Sequence, residues 1–242
     1  MSQQARAELA PTGTLRAAIN MMNPLLVTGR APGGGPAGVA PDMASAIAER
    51  LGVPVRHLPY PSPGAAADAA ATGEWDICLI AFEPKRAETI AFAPAYVEIE
   101  ATYLVPAGSA LTSVEAVDRA GVRIAVSDRS AYDLYLTRSL KRAALVRAEG
   151  LAGAFKLFVD EGLDALAGLR PALIENAAGL PGSRVLDGRY TTVGQAVGTL
   201  PGRPAGLEFL TNFVLGARAS GLIAELIERH GVTGRLQVAR DG

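Results

Sequence analysis

The sequence predicts an α/β protein of mostly parallel sheets flanked by helices, and three observations carry that prediction. Short apolar segments of strand length alternate with amphipathic segments of helix length along the whole chain. Glycine or proline punctuates most of the joins between them. The 242 residues, 49% of them hydrophobic, suffice for two small α/β lobes or one large domain with a real core.

Taken in order, Thr14 to Ile19 reads as the first strand. After a Gly/Pro loop from Gly29 to Gly38, Pro41 to Leu51 is a helix, because Met43, Ile47 and Leu51 recur at helical spacing before Gly52 stops it. Gly64 to Thr72 is an Ala-rich helix stopped at Gly73, and Trp75 to Phe82 is a buried strand, apolar almost throughout. Phe92 to Pro106 runs extended. Thr112 and Glu115 are spaced as a capping box opening a short helix to Gly121. Val122 to Val126 is a strand, and Ser130 to Arg142 a helix burying Tyr132, Leu136 and Leu140. A brief strand at Leu145 to Arg147, a helix from Leu151 to Glu161 and a strand from Leu163 to Ala167 follow. Pro171 marks the first turn of a helix ending near Gly179. Arg184 to Leu186 and Thr192 to Thr199 are extended, and two helices, Pro204 to Ala219 and Leu222 to Arg229, end the chain.

Composition excludes several classes. A net charge of -1 and the lack of a basic stripe argue against a nucleic-acid partner. No apolar run approaches the roughly 20 residues a membrane-spanning helix needs, so no membrane insertion is expected. Cys78 is the only cysteine, which rules out an intramolecular disulfide or a cysteine metal cluster. With only His57 and His230 besides, a zinc site would need carboxylates as well. No cofactor is expected. Residues 1 to 8 contain no apolar signal segment. The expected compartment is therefore the periplasm if an export signal has been removed, and the cytoplasm otherwise.

Several segments match one family in order and spacing. They are Gly13-Thr14-Leu15-Arg16, Gly38-Val39-Ala40-Pro41-Asp42 leading to Leu51-Gly52, Gly73-Glu74-Trp75-Asp76, Pro84-Lys85-Arg86, and Ile90 to Tyr96. Gly121 to Val126 followed by Ser130, Glu161 to Ala165, and Ala219 to Ile223 continue the series. Together they resemble the polar amino-acid-binding proteins of bacterial ABC transporters, the family 3 extracellular solute-binding proteins. The resemblance implies a two-lobe type II periplasmic-binding fold with two hinge strands, around Val97 to Thr102 and Tyr190 to Gln195. Lobe 1 would be residues 1–97 plus 193–242 and lobe 2 residues 98–192. It further implies a monomer whose hinge closure buries one small carboxylate-bearing ligand, with an ABC transporter permease as partner.

Within that resemblance Arg86 stands where the family clamps the ligand carboxylate. A planar guanidinium gives two parallel charge-assisted hydrogen bonds there. The run from Asp76 to Arg86 is two residues shorter than in typical members, and Leu79, Ile80, Ala81, Phe82 and Glu83 replace the usual Ser/Thr residues. Ligand contacts from this loop, Phe82 among them, are therefore expected to be apolar or through backbone. Ser130 reads as an N-cap with Asp133 completing a capping box, so the N–H groups of Ala131 and Tyr132 face an anion. Capping alone also explains Ser130. Where the family holds the ligand α-ammonium with an Asp, this chain has Leu169 followed by Arg170; Glu98 or Glu100 on the first hinge strand is the candidate substitute. Asn20, Asn23 and Tyr60 follow lobe 1 strands, whose carboxyl ends line such crevices, Tyr60 as an aromatic wall; Gln195 on the second hinge strand completes the set.

Two rival functions remain at this stage. Dehydratases related to this family use a cleft acid, for which Glu83, Glu98, Glu100 or Glu175 are the candidates, although no acid/base pair is legible from spacing. A ligand-sensing protein inside the cell is the other. Only about a dozen residues precede Gly13, too few for a DNA-reading module.

Overall fold

The computed structural model describes residues 3–240; Met1, Ser2, Asp241 and Gly242, the ends of the expected first lobe and the start of the segment read for an export signal, lie outside the described residues. In chain order the elements are α1 (Gln3–Leu9), β1 (Leu15–Asn20), β2 (Gly29–Arg30), β3 (Pro36–Ala37), α2 (Val39–Leu51), β4 (Val55–Tyr60), α3 (Pro63–Asp68), β5 (Ile77–Ala81), α4 (Pro84–Ala87) and β6 (Ala91–Val105). Then come β7 (Arg123–Ser127), α5 (Ala131–Ser139), β8 (Ala144–Ala148), α6 (Gly150–Asp160), β9 (Ala165–Leu169), α7 (Arg170–Ala178), β10 (Arg184–Val185), β11 (Thr191–Thr199), α8 (Pro204–Ala219), α9 (Leu222–Arg229) and β12 (Gln237–Val238). The chain divides into two compact units, Met1–Glu98 with Gly194–Gly242, and Ile99–Val193.

In the first unit the strands run in the order β4-β1-β5-β11. β4, β1 and β5 are parallel and β11 is antiparallel to β5. β4 is the edge strand, which is why it tolerates Pro59 and its missing N–H. Trp75 is fully buried in a cluster with Ala18, Ala66, Cys78, Ile80 and Ile90, and its indole N–H donates to the Ala66 carbonyl at 2.9 Å. Beneath the sheet end Asp76, with no exposure, accepts from the Arg16 backbone N–H (3.0 Å), from Arg16 Nε (2.9 Å) and Nη2 (2.8 Å), and from Arg203 Nη1 (3.4 Å). Gly38 opens α2 at φ +149°, where a Cβ would meet the Leu26 carbonyl oxygen at 2.3 Å. Only glycine lets the 20–28 loop pack this closely on the helix start.

The second unit pairs β6 antiparallel with β9, and β9, β7 and β8 in parallel, with β10 antiparallel to β6. Its core gathers Leu104, Ala125, Phe158, Leu163 and Leu166 between the sheet and α6 and α7.

Several expected elements differ, each for a local reason. The Thr112/Glu115 capping box does not form: Ser113 Oγ accepts the Ala116 N–H at 3.3 Å, and only one 3₁₀ turn, Glu115–Val117, follows. α5 stops at Ser139, short of Arg142, because the Asp118 carboxylate draws off the N–H groups of Lys141, Arg142 and Ala143 at 2.8–3.1 Å. The Ala-rich helix tightens into a 3₁₀ turn over Ala69–Thr72 before Gly73. The Gly29 to Gly38 loop contains the β2–β3 hairpin. α1 and β4 carry weak periodicity and are added by the structure; Glu8 on α1 accepts the Gly206 N–H at 2.7 Å, capping the first turn of α8.

Candidate functional site

In the first unit the sheet register brings most of the candidate residues to one end. Asn20 closes β1 opposite Tyr60 at the end of β4, and Gln195 on β11 lies opposite Ala81, the last residue of β5. Asn20 and Asn23 turn their carboxamide oxygens back onto the N–H groups of Met22 (3.1 Å) and Leu25 (3.0 Å), bracing the loop after β1. The Tyr60 hydroxyl donates to Glu74 at 2.9 Å. Burial first, then the Glu74 carboxylate, pushes that hydroxyl up to about 12, so it stays a neutral donor and its ring face is what Tyr60 presents. Phe82 is 49% exposed, with its backbone N–H bound to the Gly194 carbonyl at 2.9 Å and its ring edge-on to Phe92 at 5.6 Å.

Arg86 lies on α4, a single turn that Glu83 starts by accepting the Lys85 N–H at 2.8 Å and Pro84 pre-sets at the first position. The arginine is 5% exposed and donates through Nη1 to the Ala81 carbonyl at 2.8 Å, tying its fork to the carboxyl end of β5. Gln195 is 3% exposed and its Oε1 has no hydrogen-bond partner. An unsatisfied buried acceptor costs about 1–3 kcal/mol. We predict that Gln195→Leu raises stability by about 1 kcal/mol, roughly 2–4 °C in Tm, in thermal melts of the ligand-free protein. A lowered Tm would mean that the carboxamide is engaged after all.

In the second unit Ser130 caps α5, its Oγ accepting the Asp133 N–H at 3.1 Å. The reciprocal arm differs from the expected box: the Asp133 carboxylate accepts from the N–H of Arg129 at 2.8 Å, and the Ser130 N–H goes to the Ser127 carbonyl at 3.2 Å. Arg129 adopts φ +55° to make that turn. The N–H groups of Ala131 and Tyr132 are left without an acceptor among the described residues. Tyr132 is 4% exposed; burial raises its hydroxyl to about 12 despite hydrogen bonds to Ser130 and Ser127. The turn therefore presents neutral donors at the positive end of a nine-residue helix.

Glu100 is not a free carboxylate. Arg170 Nε donates to Oε2 at 2.8 Å and Arg189 Nη1 to Oε1 at 2.8 Å. The Arg170 guanidinium also reaches the carbonyls of Leu186 (3.3 Å) and Gly188. The hydrogen bond from Arg170, then that from Arg189, holds the Glu100 carboxyl below its ordinary range against a partial burial cost. In the sequence Arg170 stands out only as the neighbour of Leu169, and nothing local marks Arg189. The one available signal was an Arg beside the position that lost its acid.

The family model for bacterial extracellular solute-binding proteins, family 3, matches residues 15–233. This chain belongs to that family. Among solved structures, an ancestral amino acid-binding protein, a precursor of cyclohexadienyl dehydratase, is similar at 24% identity and TM-score 0.75, covering 95% of this chain and 99% of the other. A mutant of ArgBP from T. maritima is similar at 20% identity and TM-score 0.75, over 94% of this chain and 99% of that one. An amino acid ABC transporter substrate-binding protein from Streptococcus pneumoniae, bound to L-arginine, is similar at 17% identity and TM-score 0.74, over 92% and 96%. The comparison with curated proteins returned no match. The fold of this family member is the type II periplasmic-binding fold that the sequence resemblance implied.

As a family 3 protein the chain carries two sets of groups with different chemistry. Among the described residues the first unit carries the buried Arg86, the orphan acceptor of Gln195 and the rings of Tyr60 and Phe82. The second offers backbone donors at a helix start and a carboxylate already neutralised by two arginines. Among the described residues no cluster of three or more His, Cys, Asp or Glu is placed to hold a metal.

Proposed function

We propose that this family 3 protein captures a small carboxylate-bearing ligand, an amino acid or a related organic acid, and passes it unchanged to an ABC transporter permease. The observation that carries this reading is the α5 turn, whose unclaimed Ala131 and Tyr132 N–H groups at the positive end of the helix are the donors a carboxylate requires. Arg86 is the second anchor, its fork held by Ala81. Delivery to a permease places the protein in the periplasm.

Mixing the protein with its ligand at 100 times Kd should add about 2.7 kcal/mol of stability, roughly 5–10 °C in Tm at this size. Matched pairs make the scan informative. Glu100 is claimed by Arg170 and Arg189, and an uncompensated buried ammonium is costly. A carboxylic acid without an α-ammonium is therefore expected to bind at least as tightly as its amino-acid counterpart in calorimetry. A strong preference for the amino acid would move the anchor to Glu98, which is half-buried on the same strand, and Glu98→Gln would then abolish that preference.

The second reading, a dehydratase-like lyase, draws on the likeness to a precursor of such an enzyme. Its candidate acid would have to be protonated near neutrality, and Glu100, held ionised between two arginines, cannot serve. Sustained product formation from cyclic hydroxy acids would overturn the binding-only reading.

A further inference from the structure

In the second unit the sheet register brings two groups of positive charge to one sheet end. β7 and β9 are parallel neighbours, with Ala125 beside Leu166, so the α5 turn that follows β7 and the Leu169–Arg170 step that ends β9 open at the same end. β6 runs antiparallel to β9 with Ala101 opposite Leu169, which sets Glu100 beside Arg170. The chain returns to this place at residues 189–190. There the Tyr190 N–H donates to the Ala101 carbonyl at 3.1 Å, and the Tyr190 ring stacks on Tyr135 of α5 at 5.9 Å.

The two arginines at this end differ in what they hold. Arg170 is fully engaged: Nε donates to Glu100, and Nη1 and Nη2 donate to the carbonyls of Leu186 and Gly188. Arg189 makes a single hydrogen bond, from Nη1 to Glu100, and 55% of its side chain is exposed. Its Nε and Nη2 have no partner among the described residues. An ion pair as exposed as this contributes little to stability, which leaves Arg189 only a small part in holding the fold. Its charge is not cancelled either. Glu100 is one carboxylate between two guanidinium groups, and Asp187 in the same turn forms no ion pair among the described residues. One positive charge is therefore left over, close to a helix start that is itself positive. A ligand ammonium is repelled at such a place. An acidic group meets a guanidinium with donors to spare.

Resting on the proposed carboxylate-binding function, we infer that the ligand is a dicarboxylate, with one carboxylate on the N–H groups of the α5 turn and the second on Arg189, which selects diacids over monoacids. Charge-assisted hydrogen bonds of this kind are roughly twice as strong as neutral ones.

The test uses the full chain and pairs of acids equal in length that differ in the second carboxylate: succinate against butyrate, 2-oxoglutarate against 2-oxopentanoate, and glutamate against norvaline. Calorimetry should show the diacid of at least one pair binding about tenfold or more tightly than its monoacid counterpart. Added salt should shrink that advantage, because Arg189 is more than half exposed. Arg189→Gln should remove most of it, weakening the diacid at least about fivefold more than the monoacid, and Arg189→Lys should keep a part. The exposed position lets both variants fold, which an unchanged Tm confirms. Equal affinity within every pair, equal losses for both members in Arg189→Gln, or a diacid preference that survives this substitution would overturn the inference and leave the carboxylate reading standing. No binding by any of these acids, and none by a broad carboxylate panel, would overturn both.

Discussion

Arg86→Ala should weaken binding of any carboxylate ligand by roughly 30-fold to several thousand-fold. Truncating one partner of a buried, hydrogen-bonded charge pair costs about 2–5 kcal/mol. The side chain is 5% exposed and its fork is oriented by the 2.8 Å bond to the Ala81 carbonyl, so its direction is set before the ligand arrives. The same bond means that the variant loses some stability, and affinity and Tm must be measured together. Arg86→Lys separates the two effects. It keeps the charge and a donor for Ala81, yet cannot form the bidentate pair, so it should recover stability more fully than affinity. An Arg86→Ala protein that binds as tightly as the parent would make Arg86 only the brace of β5.

Asp76→Ala should destabilise the protein by about 3–5 kcal/mol, or roughly 6–20 °C in Tm. The carboxylate has no solvent exposure and serves four donors, three of them from Arg16 and one from Arg203. Removing it leaves two partly buried guanidinium groups, 22% and 17% exposed, facing each other without an anion. Partial solvation of the arginines places the effect toward the lower end of the range. Asp76→Asn keeps an acceptor for the Arg16 N–H and should fall between the two. Chemical denaturation showing a loss under about 1 kcal/mol for the Ala variant would contradict this account.

The elements legible in advance are those whose signals are local. α2 ends at Gly52 because the left-handed residue closing a helix is specified by that one position, and Pro171 in the first turn of α7 is likewise a local signal. The apolar run of β5 and the leucine-bearing faces of α8 and α9 are read from neighbours in the chain. Of the candidate residues, the Ser130 cap was legible for the same reason. The direction of its Asp133 arm was not, because the choice between the N–H of Arg129 and that of Ser130 turns on a left-handed residue that propensity does not foresee.

Local order along the chain determined the α/β alternation, the helix stops and the ordered set of motifs that places this protein in its family. Tertiary structure decided which charges are available. Glu100 is spent on Arg170, 70 residues away, Asp76 on Arg16 at a separation of 60, and α5 is cut short by Asp118, more than 20 residues before its end. A carboxylate's partner is whichever cation or N–H the sheet register delivers within about 3 Å. That register is set by burying whole strands, so it is written in no single segment of the sequence.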